Sequence, residues 1–152
     1  MNDLYIDENL IEIDLNLNNK EEIIKKLSNI LETAGLVKET YQSAVLKREK
    51  EFPTALETES IGFAIPHTDP QYVNKAAVAV ARLKNTVNFI SMENYEKNIA
   101  VKLVFLLAIT DPSKQVKVLQ KLIKLMQNKE IVNTILRADN QKKLSEILKN
   151  NF

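Results

Sequence analysis

Residues 101–109 read Val-Lys-Leu-Val-Phe-Leu-Leu-Ala-Ile, a run that is apolar on both faces once Lys102 is passed. A half-exposed strand would alternate with polar residues, so this one belongs at the centre of a sheet with helices packed on each side. The rest of the chain supplies such helices. Ile11, Ile13, Leu15 and Leu17 alternate with Glu12, Asp14 and Asn16, the period of a strand near an edge. Asn18 with Glu21, or Asn19 with Glu22, has capping-box spacing, and Ile23, Ile24, Leu27, Ile30 and Leu31 then repeat on one helical face until Gly35.

A second helix is predicted over residues 39–51, with Tyr41, Ala44, Val45 and Phe52 as its inward stripe, Arg48 on that stripe, and Pro53 as its stop. Residues 61–65 and 76–83 read as strands; the second has Val78 and Val80 on one face and small alanines on the other. Asp111-Pro112 is an N-cap followed by proline at the first helical position, with Val116, Leu119, Leu122, Ile123 and Met126 as the apolar face. Shorter helices over residues 129–137 and 141–149 close the chain, packing Ile131, Val132, Ile135, Leu144, Ile147 and Leu148 inward. The expectation is one α/β domain over residues 1–152, a mixed sheet between two helical layers.

The scarce residues restrict the chemistry. The chain has no cysteine, hence no disulfide, thiolate metal site or cysteine nucleophile, and no Cys fits a reducing compartment. Two distant glycines, Gly35 and Gly62, exclude a Walker A loop, a dinucleotide fingerprint and a nucleophile elbow. Lys+Arg 21 against Asp+Glu 20 gives no global case for nucleic acid or an anionic bilayer. The start, Met1-Asn2-Asp3-Leu4-Tyr5, has neither a basic nor an apolar leader region, and no apolar stretch reaches the ~20 residues of a membrane helix; a cytoplasmic protein is expected.

One histidine remains. His67 stands between Pro66 and Thr68-Asp69-Pro70, just after the strand signal of residues 61–65, so a rigid turn at the end of a strand presents the only imidazole. Asp69-Pro70 also has the form of a helical start whose free N–H groups favour an anion. A neutral imidazole can take up and release a phosphoryl group, and Arg48 could supply positive charge to its oxygens. His67 is equally well read as an ordinary turn residue, and Arg48 as half of a structural ion pair. Gln115 falls in the first turn of the Asp111 helix, in phase with Leu119, Leu122 and Met126, either directed to the same sheet edge or an ordinary amide on a helix shoulder. A zinc site is weaker still, for only Asp69 offers a nearby carboxylate, and no motif supports a Ser/His/Asp triad. Between Glu49 and Asp69, five carboxylates against Lys50 form either a surface for a basic partner or a solvated loop.

Arg48-Glu49, then Phe52-Pro53-Thr54, then Ala64-Ile65-Pro66-His67-Thr68-Asp69 resembles the enzyme IIA component of the sugar phosphotransferase system, in its fructose/mannitol superfamily and especially the galactitol-type branch. The resemblance runs from about Asn9 to Leu148. It implies an α/β fold with a mixed sheet flanked by helices, and a phosphotransferase that accepts a phosphoryl group from the phosphocarrier HPr and passes it to a cysteine of enzyme IIB, with membrane enzyme IIC downstream. His67 matches the phosphorylated histidine, at Nε2; Arg48 matches the arginine that steadies the phosphohistidine, and Thr54 lies in the neighbouring loop. No cofactor and no metal are implied. The alternative within the same ancestry is a regulatory module that is phosphorylated at His67 and binds a transporter, kinase or transcription factor. Two departures stand out. Ala55 follows Pro-Thr where the family often has glycine, so the backbone there must avoid positive φ. Gln115 stands where mannitol-type members carry a second histidine, which leaves amide hydrogen bonds only and favours the galactitol-like branch.

Overall fold

The structure, a computed structural model, describes residues 4–152; of the leader segment read above, Met1, Asn2 and Asp3 lie outside the described residues. Five strands form one mixed sheet: β1 (Ile11–Leu15), β2 (Ala55–Glu57), β3 (Gly62–Ala64), β4 (Ala77–Ile90) and β5 (Asn98–Ala108), in the order β1-β4-β5-β3-β2. β4 runs parallel to β1 and antiparallel to β5; β3 runs parallel to β5 and antiparallel to β2. Helices α1 (Lys20–Thr33) and α2 (Tyr41–Glu51) cover one face, and α3 (Pro112–Met126), α4 (Lys129–Arg137) and α5 (Gln141–Asn151) the other.

β5 is the doubly covered strand its composition demands. Val104, Leu106 and Ala108 enter the core under α1 and α2, while Leu103, Phe105 and Leu107 enter the core under α3, α4 and α5. β4 divides likewise: Ala77, Ala79 and Ala81 leave room for Ile23, Ile24 and Leu27 of α1, and Val78 and Val80 pack on the opposite side. Each large side chain fully buried in these layers contributes about 1.5–3 kcal/mol against the entropy of ordering it.

Helix boundaries follow local chemistry. The Asn19 side chain accepts from the Glu22 N–H at 2.8 Å, one of the two caps its sequence offered, and Gly35 leaves α1 at φ +75°. Asp111 caps α3 through the Ser113 N–H at 2.9 Å, ahead of Pro112. Three expectations are corrected. Phe52 is 53% exposed, so the inward stripe of α2 is Tyr41, Val45 and Glu49, spaced four residues apart. Val116 is also exposed; Val118, Leu122, Leu125 and Met126 carry the buried face of α3 instead. β4 continues to Ile90 past the exposed polar residues Lys84, Asn85 and Thr86, which sit where its register with β5 shifts.

The same strand carries a buried cation. Arg82, 7% exposed, donates from one guanidinium nitrogen to the carbonyls of Ile135 (3.0 Å) and Ala138 (2.8 Å), at the C-terminal end of α4. Its other terminal nitrogen is 3.6 Å from Asp14, a residue held at φ +54° where β1 shifts register on β4. Arg82 thus satisfies two helix-end carbonyls that burial keeps from water and sits at the negative end of the α4 dipole. Arg82→Met retains the apolar stem and removes those bonds; we expect a loss of about 2 kcal/mol, read as a lower urea midpoint with unchanged slope. An unchanged midpoint would mean that water reaches both carbonyls.

Candidate functional site

β3 ends at Ala64, and the chain that follows is pinned from two sides before it turns. The Ile65 N–H donates to the Thr54 hydroxyl at 3.2 Å, and the Pro66 carbonyl accepts from the Leu107 N–H at 3.0 Å. His67 follows immediately, 7% exposed, with Nδ1 2.8 Å from the Ile65 carbonyl oxygen. A carbonyl can only accept, so Nδ1 carries the hydrogen and the lone pair of a neutral ring lies on Nε2. Burial lowers the His67 pKa from its ordinary 6.5; the Ile65 hydrogen bond opposes this, the Arg48 charge adds to it, and Asp69 pulls the other way. The ring is therefore neutral at pH 7 with its free nitrogen at Nε2.

Arg48 comes from the last turn of α2. Its guanidinium lies 5.3 Å from the centre of the Phe52 ring and 3.9 Å from the Asp69 carboxylate, while its Nε is buried and without a partner. The exposed Phe52 thus has a role beside the site, as a face on which the cation rests. Arg48, Phe52, Thr68, Asp69 and Tyr72 line a cleft of about 190 Å³ between α2 and the His67 turn. The Asp69-Pro70 segment is a short 3-10 turn whose Tyr72 and Val73 N–H groups bond back to Asp69 and Pro70, so of the free N–H groups read there only that of Gln71 is left.

Thr54 is committed elsewhere. Its hydroxyl donates to Glu49 at 2.7 Å and accepts from Ile65, and its own N–H donates to the second Glu49 oxygen at 3.0 Å. A hydroxyl has one proton, so Thr54 holds the loop and has none left for a phosphate oxygen. Glu49 itself is 4% exposed. Burial pushes its pKa up to about 7 against the pull of both Thr54 hydrogen bonds and Lys20, with Glu21 adding slightly to the rise. Ala55 lies in β2 opposite Ala64, and its φ is not positive, so glycine is not required there.

Gln115 lies in the first turn of α3, which begins five residues after Leu107, the partner of Pro66. Its Oε1 is buried without a partner, so Arg48 and Gln115 supply two of the three such side-chain atoms among the described residues. Turning the amide over would place its NH2 where an oxygen-rich group could accept. Neither Arg48, Thr54 nor Gln115 is hydrogen-bonded to His67.

The acidic segment is largely answered within the chain: Glu57 pairs with Lys97, Glu59 with Lys129 at 2.5 Å, Asp69 faces Arg48 and Glu49 is buried on Thr54. The broad acidic surface for a basic partner is therefore not present as read. Among the described residues no three His, Cys, Asp or Glu side chains converge on one point, and no helix is long and apolar enough to cross a membrane. Sequence reasoning missed Tyr41 and Glu49 as supports of this turn. Their spacing from Val45 on the buried stripe was the available signal, masked by the charge of Glu49.

Comparison with known proteins agrees with this fold. The chain is 29% identical over 136 residues to the galactitol-specific EIIA component of the phosphotransferase system from Escherichia coli, covering 90% of this chain and 87% of that one. IIA mannitol from Escherichia coli superimposes with a TM-score of 0.78 at 24% identity, over 95% of this chain and 99% of that one. The complex of enzyme IIA and phosphorylated enzyme IIB for mannitol, also from Escherichia coli, gives 0.78 at 22% identity, over 97% of this chain and 99% of the other. The family model for the phosphoenolpyruvate-dependent sugar phosphotransferase system, EIIA 2, matches residues 4–151, and the chain belongs to that phosphotransferase family.

Proposed function

We propose that the chain is a cytoplasmic phosphocarrier that takes a phosphoryl group from phospho-HPr onto Nε2 of His67 and passes it to a cysteine of enzyme IIB, with enzyme IIC moving the sugar. The observation that carries this reading is the Nδ1 contact to the Ile65 carbonyl in a buried, neutral imidazole, which leaves Nε2 as the nucleophile. The Nε2 lone pair attacks phosphorus while the bond to the donor breaks and the donor keeps that electron pair. The imidazole then carries positive charge, shared through Nδ1–H with the Ile65 oxygen. In the second step a IIB thiolate attacks phosphorus, the P–N bond breaks, and the ring returns to its neutral form.

Arg48 has an unused buried Nε beside the cleft and can stabilise the equatorial oxygens during both steps. Gln115 contributes amide hydrogen bonds, and Thr54 acts by holding the loop. The transported compound is proposed to be a sugar alcohol such as galactitol, from the relative at 29% identity and from Gln115 in place of a second histidine.

Intact-mass analysis after incubation with phosphoenolpyruvate, enzyme I and HPr tests the reading. The expected product is one acid-labile phosphoryl adduct, mapped to His67 and discharged by added IIB. No adduct under conditions that phosphorylate a control enzyme IIA would refute it. An adduct that IIB proteins leave in place would favour a regulatory module phosphorylated at the same residue.

A further inference from the structure

Helix α2 reaches the His67 turn twice, from two residues of its buried stripe. At its start, the Tyr41 hydroxyl donates to the Leu107 carbonyl, and the N–H of that same Leu107 holds the Pro66 carbonyl. Two turns later, both Glu49 oxygens accept from Thr54, whose hydroxyl holds the Ile65 N–H. Ile65 and Pro66 are the two residues before His67, and the Ile65 carbonyl is the group that receives Nδ1–H. Tyr41 is fully buried and Glu49 almost so, so neither can touch a partner protein or its phosphoryl group. A buried carboxyl and a buried hydroxyl are costly unless something requires them, and here each ends on one of the two residues that orient the imidazole.

We propose that Tyr41 and Glu49 are positioning residues for the phosphoryl-accepting histidine: acting through Leu107–Pro66 and Thr54–Ile65, they fix the ring orientation and the Nδ1–H tautomer that leaves Nε2 free. The inference rests on the phosphocarrier reading for its kinetic consequence, though not for its structural one. Free imidazole exchanges between both neutral tautomers. In this site a displacement of the Ile65 carbonyl removes the acceptor that selects one of them. Arg48 precedes Glu49 on the same helix, so the second relay also fixes the distance between cation and nucleophile.

The chain has one histidine, so 15N labelling of histidine gives a single imidazole to observe. In the wild type at neutral pH the Nδ1 signal should be that of a protonated nitrogen and the Nε2 signal that of an unprotonated one, well separated. In Glu49→Gln, whose amide offers one acceptor atom where the carboxylate offers two and so cannot receive both Thr54 donors in the same way, and in Tyr41→Phe, which removes only the hydroxyl, the two signals should move towards each other. Phosphorylation by phospho-HPr should slow roughly tenfold in each, since misplacement on the ångström scale costs this much or more. Folded variants with wild-type imidazole signals and wild-type rates would overturn the proposal even if their thermal midpoints fell, because that outcome is purely structural. If Glu49→Gln does not fold, the isosteric Tyr41→Phe decides alone. Converging signals in a protein that HPr does not phosphorylate would leave the positioning role intact and remove the phosphocarrier reading.

Discussion

His67→Asn should fold as the wild type does and take up no phosphoryl group. Asparagine carries its amide nitrogen at about the place of Nδ1, so the hydrogen bond to the Ile65 carbonyl at 2.8 Å has a substitute donor. Nothing in the amide replaces Nε2, and an amide nitrogen is not a nucleophile. Measured by intact mass, the loss should be complete, whereas His67→Ala removes both the bond and the nucleophile and should also lower the melting temperature. A phosphorylated His67→Asn protein would place the acceptor on another residue.

The same pair of proteins tests the electrostatics. Burial, with the Arg48 charge adding to it, pulls the His67 pKa below 6.5. Between the folded value and 6.5 the unfolded chain binds more protons than the folded one, so stability rises with pH across that window. The contribution is complete above 6.5 and is lost as pH falls through the folded value. The buried Glu49 carboxyl, raised to about 7, contributes a slope of the opposite sign in both proteins. Thermal midpoints followed from about pH 4 to pH 8 should therefore rise more steeply, or fall less, with pH in the wild type than in His67→Asn across the His67 window. Equal slopes would mean that the ring titrates as it does in water.

Gly62→Ala should be the most destabilising single methyl group added to the chain. A Cβ there would lie 2.3 Å from the Ala100 carbonyl oxygen and 2.7 Å from Ile99 Cγ2, with the Ala100 carbonyl carbon 3.1 Å away. Ile99 and Ala100 are held on their far side by β4, through the pairs with Phe89 and Asn88, so β5 cannot give way. β3 must move instead, and it leads straight to Ile65, Pro66 and His67. We expect a loss of about 3 kcal/mol, or a fall of roughly 6–12 °C in melting temperature for a chain of this size, together with slower phosphorylation of the fraction that remains folded. An unchanged melting temperature would mean that β3 is free to slide away from β5 at no cost.

The fold was legible where one physical demand dominated. Residues 101–109 needed cover on both faces and became the central strand, and Asn19 and Asp111 capped the helices their chemistry announced. β2 was not legible, because Ala55, Leu56 and Glu57 form a strand only through their pairing with β3. Phe52 and Val116 misled for the opposite reason: hydrophobicity directs a residue inward on average, but here one supports a guanidinium and the other lies on the exposed side of α3. At the site, the Pro66-His67 turn was readable from two prolines and a strand end. The supporting relays were not, since a glutamate on a helix stripe reads as surface until Thr54, just past the Pro53 stop, is seen to satisfy both its oxygens.

The sheet's longest strands, β4 and β5, lie inside it, while its two borders are β1 with five residues and β2 with three. Asp14, in its left-handed conformation, interrupts the regular ladder of β1. A border that short or that bent offers no template along which another chain could add a strand, which guards a Val- and Leu-rich sheet against aggregation through its edges. Recognition by this molecule is thereby left to side chains and turns, and in the proposed phosphocarrier role the turn that ends in His67 would meet each protein and release it without any backbone ladder having to form and unzip.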